Sequence, residues 1–199
     1  MAHTNPTPPR MRSWLFAPGD SEKKMGKAEG GNADIVLLDL EDSVAPENKP
    51  AARQMVAEQI MASANKARLW VRINPIAGHD CIADLAAIIP AQPGGVFLPK
   101  AEGAADITQL HHYLTALEAG NGIPLGRTLI AALVTETAAA MFRTGDYAGT
   151  YPGRERLVAI SWGAEDLSSA LGAREQRGPD GEYSHTYEMA RSLCLIGAA

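Results

Sequence analysis

Cysteine is scarce in this chain of 199 residues: Cys81 and Cys194 are the only two, far apart and outside any C-x-x-C spacing. That excludes a disulfide framework or a structural zinc site as the organising device, and the expectation is two buried free thiols in a reducing compartment. Excess positive charge is missing too. With 18 Lys and Arg against 23 Asp and Glu, the net charge is -5. This gives no electrostatic case for a nucleic-acid or anionic-membrane partner, a local basic patch around a small anion aside. No window approaches the ~18 to 20 uninterrupted apolar residues of a membrane span, and the stretch from His3 to Arg12 lacks the apolar core of a secretory signal. A cytoplasmic location is expected. G-x-S-x-G, Walker A and G-x-G-x-x-G sequences are absent, so serine hydrolase, P-loop and Rossmann readings lose their main support. His111, His112 and His185 have no zinc-like spacing.

What is present is a composition of 46% apolar and 21% charged residues with 19 Gly and 13 Pro, that of one globular domain with a sizeable core. A tail over residues 1–11 and a domain over 12–199 are expected. Short runs rich in Val, Ile, Leu and Phe alternate with helix-like spacing, the signature of parallel β/α units. Strands are predicted over 13–17, 34–40, 69–74, 95–99, 129–134 and 157–161. Helices are predicted over 21–30, 49–67, 82–89, 104–119 and 137–144, with a last one over 183–196 after the turn Arg177-Gly178-Pro179-Asp180-Gly181. Such units fit either an open doubly wound sheet or a (β/α)8 barrel, and six of them leave the closing strands of a barrel unaccounted for.

Charged residues fall repeatedly where apolar runs end. Leu37-Leu38-Asp39-Leu40-Glu41-Asp42-Ser43 carries three acids, with Asp39 and Glu41 on one face by period-two alternation and Asp42 opening the loop. Capping and solvation account for some of the three, but an acid facing inward needs a cationic partner. Arg72, alone inside Leu69 to Asn74, must be paired; its fork suits either those acids or a substrate carboxylate or enolate oxygen. Lys100 closes the fourth run. Glu136 and Asp166 follow the fifth and sixth, each readable as a helix-start acid or as one of two carboxylates converging on a hard cation such as Mg²⁺. The turn Phe16-Ala17-Pro18-Gly19, followed by Lys23, Lys24 and Lys27, reads first as a turn and second as a phosphate cradle. What favours function is coincidence: these charges share the active-site end of parallel β/α architectures.

Arg12 to Gly19, Leu37 to Val44, Val71 to Asn74, Leu98 to Lys100, Thr135 to Thr137 and Gly163 to Leu167, in this order, together resemble the citrate lyase beta subunit-like family. That family lies within the HpcH/HpaI aldolase and citrate lyase superfamily, which includes malyl-CoA and citramalyl-CoA lyases. The resemblance implies a TIM barrel assembled into trimers or larger oligomers such as hexamers. It implies an Mg²⁺-dependent lyase that cleaves or forms a carbon-carbon bond in a short hydroxy-dicarboxylic acyl-CoA thioester through an enolate. Carried over by motif, Glu136 and Asp166 match the metal ligands. Arg72, with Glu136, matches the catalytic residue that meets the substrate oxygen. Phe16, Pro18, Gly19 and Lys24 match the part near the CoA moiety, and Asp42 and Lys100 match positions near the site. Relatives continue through two more strands and a C-terminal segment that can supply a catalytic acid to a neighbouring subunit. The chain ends at Ala199, so the expectation is a barrel that stops after its sixth β/α unit. Two alternatives stand beside the lyase: a non-catalytic acyl-CoA-binding homologue, and a class II aldolase acting on free 2-oxo acids.

Overall fold

The structure is a computed structural model that describes residues 9–199. Six parallel strands, β1 (Trp14–Pro18), β2 (Ile35–Asp39), β3 (Leu69–Arg72), β4 (Gly95–Leu98), β5 (Leu129–Leu133) and β6 (Leu157–Ser161), form one sheet whose spatial order is the chain order. The returns run through α1 (Glu22–Glu29), α2 (Lys49–Ala62), α3 (His79–Ile88), α4 (Ala104–Gly120) and α5 (Ala138–Met141), while α6 (Glu165–Leu171) and α7 (His185–Gly197) follow β6. All six expected strands are present within two residues of their predicted ends. The layout is that of a (β/α) barrel of TIM type, and the six strands do not close into a ring: β1 and β6 each have one neighbour. Of the expected tail, residues 1–8 lie outside the described residues, and Met11 packs against the inner face of the sheet.

Side chains alternate between two cores, as period two demands. Leu37, Trp70, Phe97, Ala131 and Leu133 meet on the concave inner face, with Trp14 edge-on to Trp70 at 5.3 Å between ring centroids. Val36, Leu38, Val71, Val96, Leu98, Ile130 and Ala132 point outward beneath the helices. Each such buried aliphatic side chain contributes about 1.5–3 kcal/mol. Gly95 makes room for the indole: a Cβ there would lie 2.5 Å from the Trp70 ring. No helix among the described residues is long and apolar enough to cross a membrane, and both cysteines are buried and unpaired.

The helices depart most from expectation in three places. Helix α2 stops at Ala62 rather than Ala67, because Ser63 turns extended and bonds Glu29 through its hydroxyl at 2.5 Å. The predicted helix over 137–144 is a single turn, capped by the Thr137 hydroxyl on the Ala140 amide and followed by a 3-10 turn over Thr144–Ala148. There Tyr147 accepts from the Gly103 amide and donates to Ala101 O, fastening the turn to the loop after β4. Helix α6 is outside the predicted helix ranges, although Asp166 reads as a helix-start acid. Its signal was Leu167 and Leu171 at i, i+4 followed by Gly172, which takes the left-handed C-terminal position at φ 61°.

Candidate active site at the carboxyl ends of the strands

The site begins with a register. Asp39 ends β2, Arg72 ends β3, and the two are ladder partners. With period two, both point to the concave side, where a lone guanidinium requires an anion. Arg72 Nε and Nη2 donate to Asp39 Oδ1 and Oδ2, both at 2.7 Å. Burial works to raise the Asp39 pKa, but the Arg72 bonds outweigh it and hold the carboxyl below its usual range. The Phe16 ring covers the guanidinium at 4.9 Å. Arg72 Nη1 turns toward Glu41 Oε2 at 3.0 Å and Asp42 Oδ2 at 3.5 Å. Glu41 Oε2 receives no well-directed hydrogen bond despite that closeness.

Lys100 links the second strand to the sixth. Its φ of 52° is left-handed, a sparsely populated conformation for a side chain of this kind. The turn sends its amide and its ammonium to different acids. The amide donates to Glu136 Oε2 at 2.7 Å. The ammonium lies 2.5 Å from Glu41 Oε1, 2.9 Å from Asp166 Oδ2 and 4.0 Å from Asp42 Oδ1. Burial disfavours the charged lysine, yet the bonds to Glu41 and Asp166 raise its pKa overall.

Glu136 and Asp166 are brought to one cavity by their loops. Buried Thr135 accepts from the Gly163 amide at 3.0 Å, tying the end of β5 to the loop after β6. Glu136 then lies against Gly163, where a Cβ would come within 3.3 Å of its Cγ and Oε1. Asp166 sits in the first turn of α6, whose N-cap is Ala164. Burial pushes the Glu136 carboxyl up to about 7, with Asp166 and Glu41 adding to the rise and Lys100 opposing it. Burial likewise raises Glu41, against the pull of Lys100 and Arg72.

Five carboxyl groups, Asp39, Glu41, Asp42, Glu136 and Asp166, thus face two cations, Arg72 and Lys100. Oxygens of Glu41, Asp42 and Asp166 lie within 4.8 Å of one another. An all-oxygen donor set with surplus negative charge and a buried oxygen lacking a hydrogen bond fits a hard divalent cation. Beside it opens a cavity of about 570 Å³ lined by Trp14, Phe16, Arg72, Glu136, Trp162 and Asp166 among others. It is mostly walled by apolar groups, with the charges at one end.

Of the sequence candidates, Phe16, Asp42, Arg72, Glu136 and Asp166 line this cavity, and Lys100 stands behind it in the acid cluster. Pro18, Gly19 and Lys24 do not line it. The Gly19 amide donates to Asp39 O at 2.8 Å and a Cβ at Gly19 would meet that oxygen at 2.7 Å, so the residue lets β1 approach β2. Lys24 is exposed on α1. Sequence reasoning left out Glu41, Asp39 and Trp162 as site residues. The first two carried a signal, since alternation already placed them on one face, and the inward Arg72 needed both.

A profile of the HpcH/HpaI aldolase/citrate lyase family matches residues 12–193. The chain belongs to that family. This member is 35% identical over 186 residues to the citrate lyase subunit beta-like protein of Mycobacterium tuberculosis, which covers 94% of the chain and 59% of the relative. It is 33% identical over 175 residues to the L-malyl-CoA/beta-methylmalyl-CoA lyase of Rhodobacter capsulatus, covering 84% of the chain and 52% of that enzyme. The chain therefore spans little more than half the length of these curated relatives. Among solved structures, the citrate lyase beta subunit of M. tuberculosis complexed with oxaloacetate and magnesium superposes with a TM-score of 0.76 at 36% identity, covering 93% of this chain and 72% of that one.

Proposed function

We propose that this family member holds Mg²⁺ and takes part in a carbon-carbon lyase reaction on a short hydroxy-dicarboxylic acyl-CoA thioester of malyl, citramalyl or citryl type. The observation that carries the reading is the charge imbalance at the strand ends: five carboxyls, two of them with raised pKa, against two cations. The names of the relatives, a citrate lyase beta-like protein and a malyl-CoA lyase, and the magnesium and oxaloacetate in the neighbouring structure point the same way.

In this reading Glu136 and Asp166 hold the cation, with Glu41 and Asp42 adjoining. When bound, Mg²⁺ supplies Lewis-acid polarisation of a substrate oxygen. The protein does the rest by placement. Asp39 fixes the plane of the Arg72 guanidinium, and Nη1, which faces Glu41 and Asp42, would donate to an oxygen that gains negative charge as the carbon-carbon bond breaks. Phe16 and Trp162, lining the cavity, keep water from that oxygen. Phe16, Pro18, Gly19 and Lys24, at and after the end of β1, form the side assigned to the CoA portion, and Asp42 and Lys100 bound the carboxylate end.

Titration calorimetry with Mg²⁺ tests the assignment. The wild-type chain should bind it, and Glu136→Gln and Asp166→Asn should each weaken binding at least about tenfold. Full affinity in both variants removes them as ligands. Incubation with malyl-CoA and citramalyl-CoA, monitored for free thioester products, tests the reaction class.

A further inference from the structure

The Lys100 ammonium already stands at Asp166, one of the two acids proposed above to hold the cation, with Glu41 and Asp42 around it. Its nitrogen touches or approaches one oxygen of each of the three acids, at 2.5 Å from Glu41, 2.9 Å from Asp166 and 4.0 Å from Asp42, and those are the three whose oxygens cluster within 4.8 Å. Mg²⁺ draws its oxygens to about 2.0–2.1 Å, so an ion that Asp166 holds among these oxygens and the ammonium cannot share that space. The backbone of Lys100 is pinned by its left-handed turn and by the amide bond to Glu136. Only the side chain is left to move, and it is partly exposed, at 29%.

We propose that the Lys100 ammonium is the resident counter-ion of the acid cluster, and that a divalent cation enters by displacing it from Asp166. Glu41 keeps the ammonium on the far side, so that the lysine stays within the site as a second positive charge instead of leaving it. The left-handed backbone at this residue is then explained: it lets one position serve Glu136 through its amide and the exchangeable cation place through its side chain. The inference rests on the magnesium reading above and adds what balances the acids before the ion arrives.

The test compares wild type, Lys100→Met and Lys100→Arg in the 199-residue chain. Without metal, Lys100→Met should melt several degrees lower than wild type, because Glu41 and Asp166 lose their partner, and Lys100→Arg should recover most of that loss. Lys100→Met should bind Mg²⁺ roughly tenfold more tightly in calorimetry, since a like charge near the ion is gone. In wild type, the ¹⁵N-lysine ammonium signal absent from Lys100→Arg should shift during Mg²⁺ titration with the calorimetric midpoint. That measurement also decides the matter should Lys100→Met fail to fold. Wild type that binds Mg²⁺ with an unmoved Lys100 signal, or Lys100→Met with unchanged Mg²⁺ affinity, overturns the proposal while leaving the magnesium site intact. Wild type with neither heat of binding nor a signal change overturns both.

Discussion

Asp39 and Arg72 are ladder partners at the ends of β2 and β3, joined by two N–H···O bonds of 2.7 Å in a plane capped by Phe16. This fork is what turns an inward-facing arginine from a burden into a fixed donor. Arg72→Lys keeps the charge and loses the plane. For the proposed lyase reaction, the expected result is a folded protein whose kcat for carbon-carbon cleavage of the acyl-CoA falls at least about a hundredfold, measured alongside a thermal melt to show that folding survives.

Asp39→Ala removes the partner and leaves the guanidinium buried. Breaking such a pair costs about 3–5 kcal/mol, and the urea midpoint should fall accordingly, more than for Asp42→Ala, whose side chain is 56% exposed.

At the opposite end of the sheet, Arg156 and Glu118 form a second fork, 2.9 and 2.7 Å, almost wholly buried. Arg156 also donates to Thr128 O, Thr115 Oγ1 and His111 Nδ1. Truncating either partner to Ala should cost about 3–5 kcal/mol in chemical denaturation, whereas Arg156→Met with Glu118→Leu should recover only part of it, because the Gly126 and Thr128 amides lose the Glu118 oxygens that accept from them. Mg²⁺ affinity should be unchanged in any variant that folds, because this fork lies at the far pole.

Gly95→Ala places a methyl 2.5 Å from the Trp70 ring. Overpacking of this kind costs about 1–3 kcal/mol. Differential scanning calorimetry should show the loss, and a smaller indole substitute, Trp70→Phe, should relieve part of it in the double variant.

Arg12 grips Asp34 through its side chain, Nε to Oδ2 at 2.9 Å and Nη2 to Oδ1 at 3.0 Å, and through its backbone amide. These bonds hold the Asp34 carboxyl down at about 2. The folded pKa is depressed, so the stabilisation is present above the ordinary carboxylate range and is lost as pH falls through about 2. Carbon-13 NMR of the carboxyl should give that midpoint, and Arg12→Ala should return it toward about 3.9.

The strands were legible because apolar runs of four or five residues, four of the six ended by a charge or proline, leave little room for another reading. Arg72 was legible for a related reason: one guanidinium within Leu69-Trp70-Val71 advertises its need for an anion. Less legible was which acid answers it, since Asp39, Glu41 and Asp42 differ by a residue or two and only the β2–β3 register selects Asp39 for the fork. Lys100 was read as a cation at a strand end, but its left-handed backbone leaves no mark in composition. Helix α6 was hidden because Gly163 to Ser168 reads as loop, and its short apolar side needs Tyr187 and Ala190 of α7 to cover it. The Gly19 motif was recognisable as special, though its close approach to Asp39 O depends on a neighbour twenty residues away.

A sheet whose spatial order repeats its chain order has a temporal consequence. Every strand pairs with the one synthesised just before it, so each emerging β/α unit finds its docking edge already formed and closes only a local loop. Nothing has to wait for a distant segment, and contacts of small sequence separation form fast. The acid cluster is the exception, because Glu41 follows β2 and Asp166 follows β6. It is completed only after β6 and the start of α6 have followed, so Lys100, touching both, joins an early part of the site to a late one.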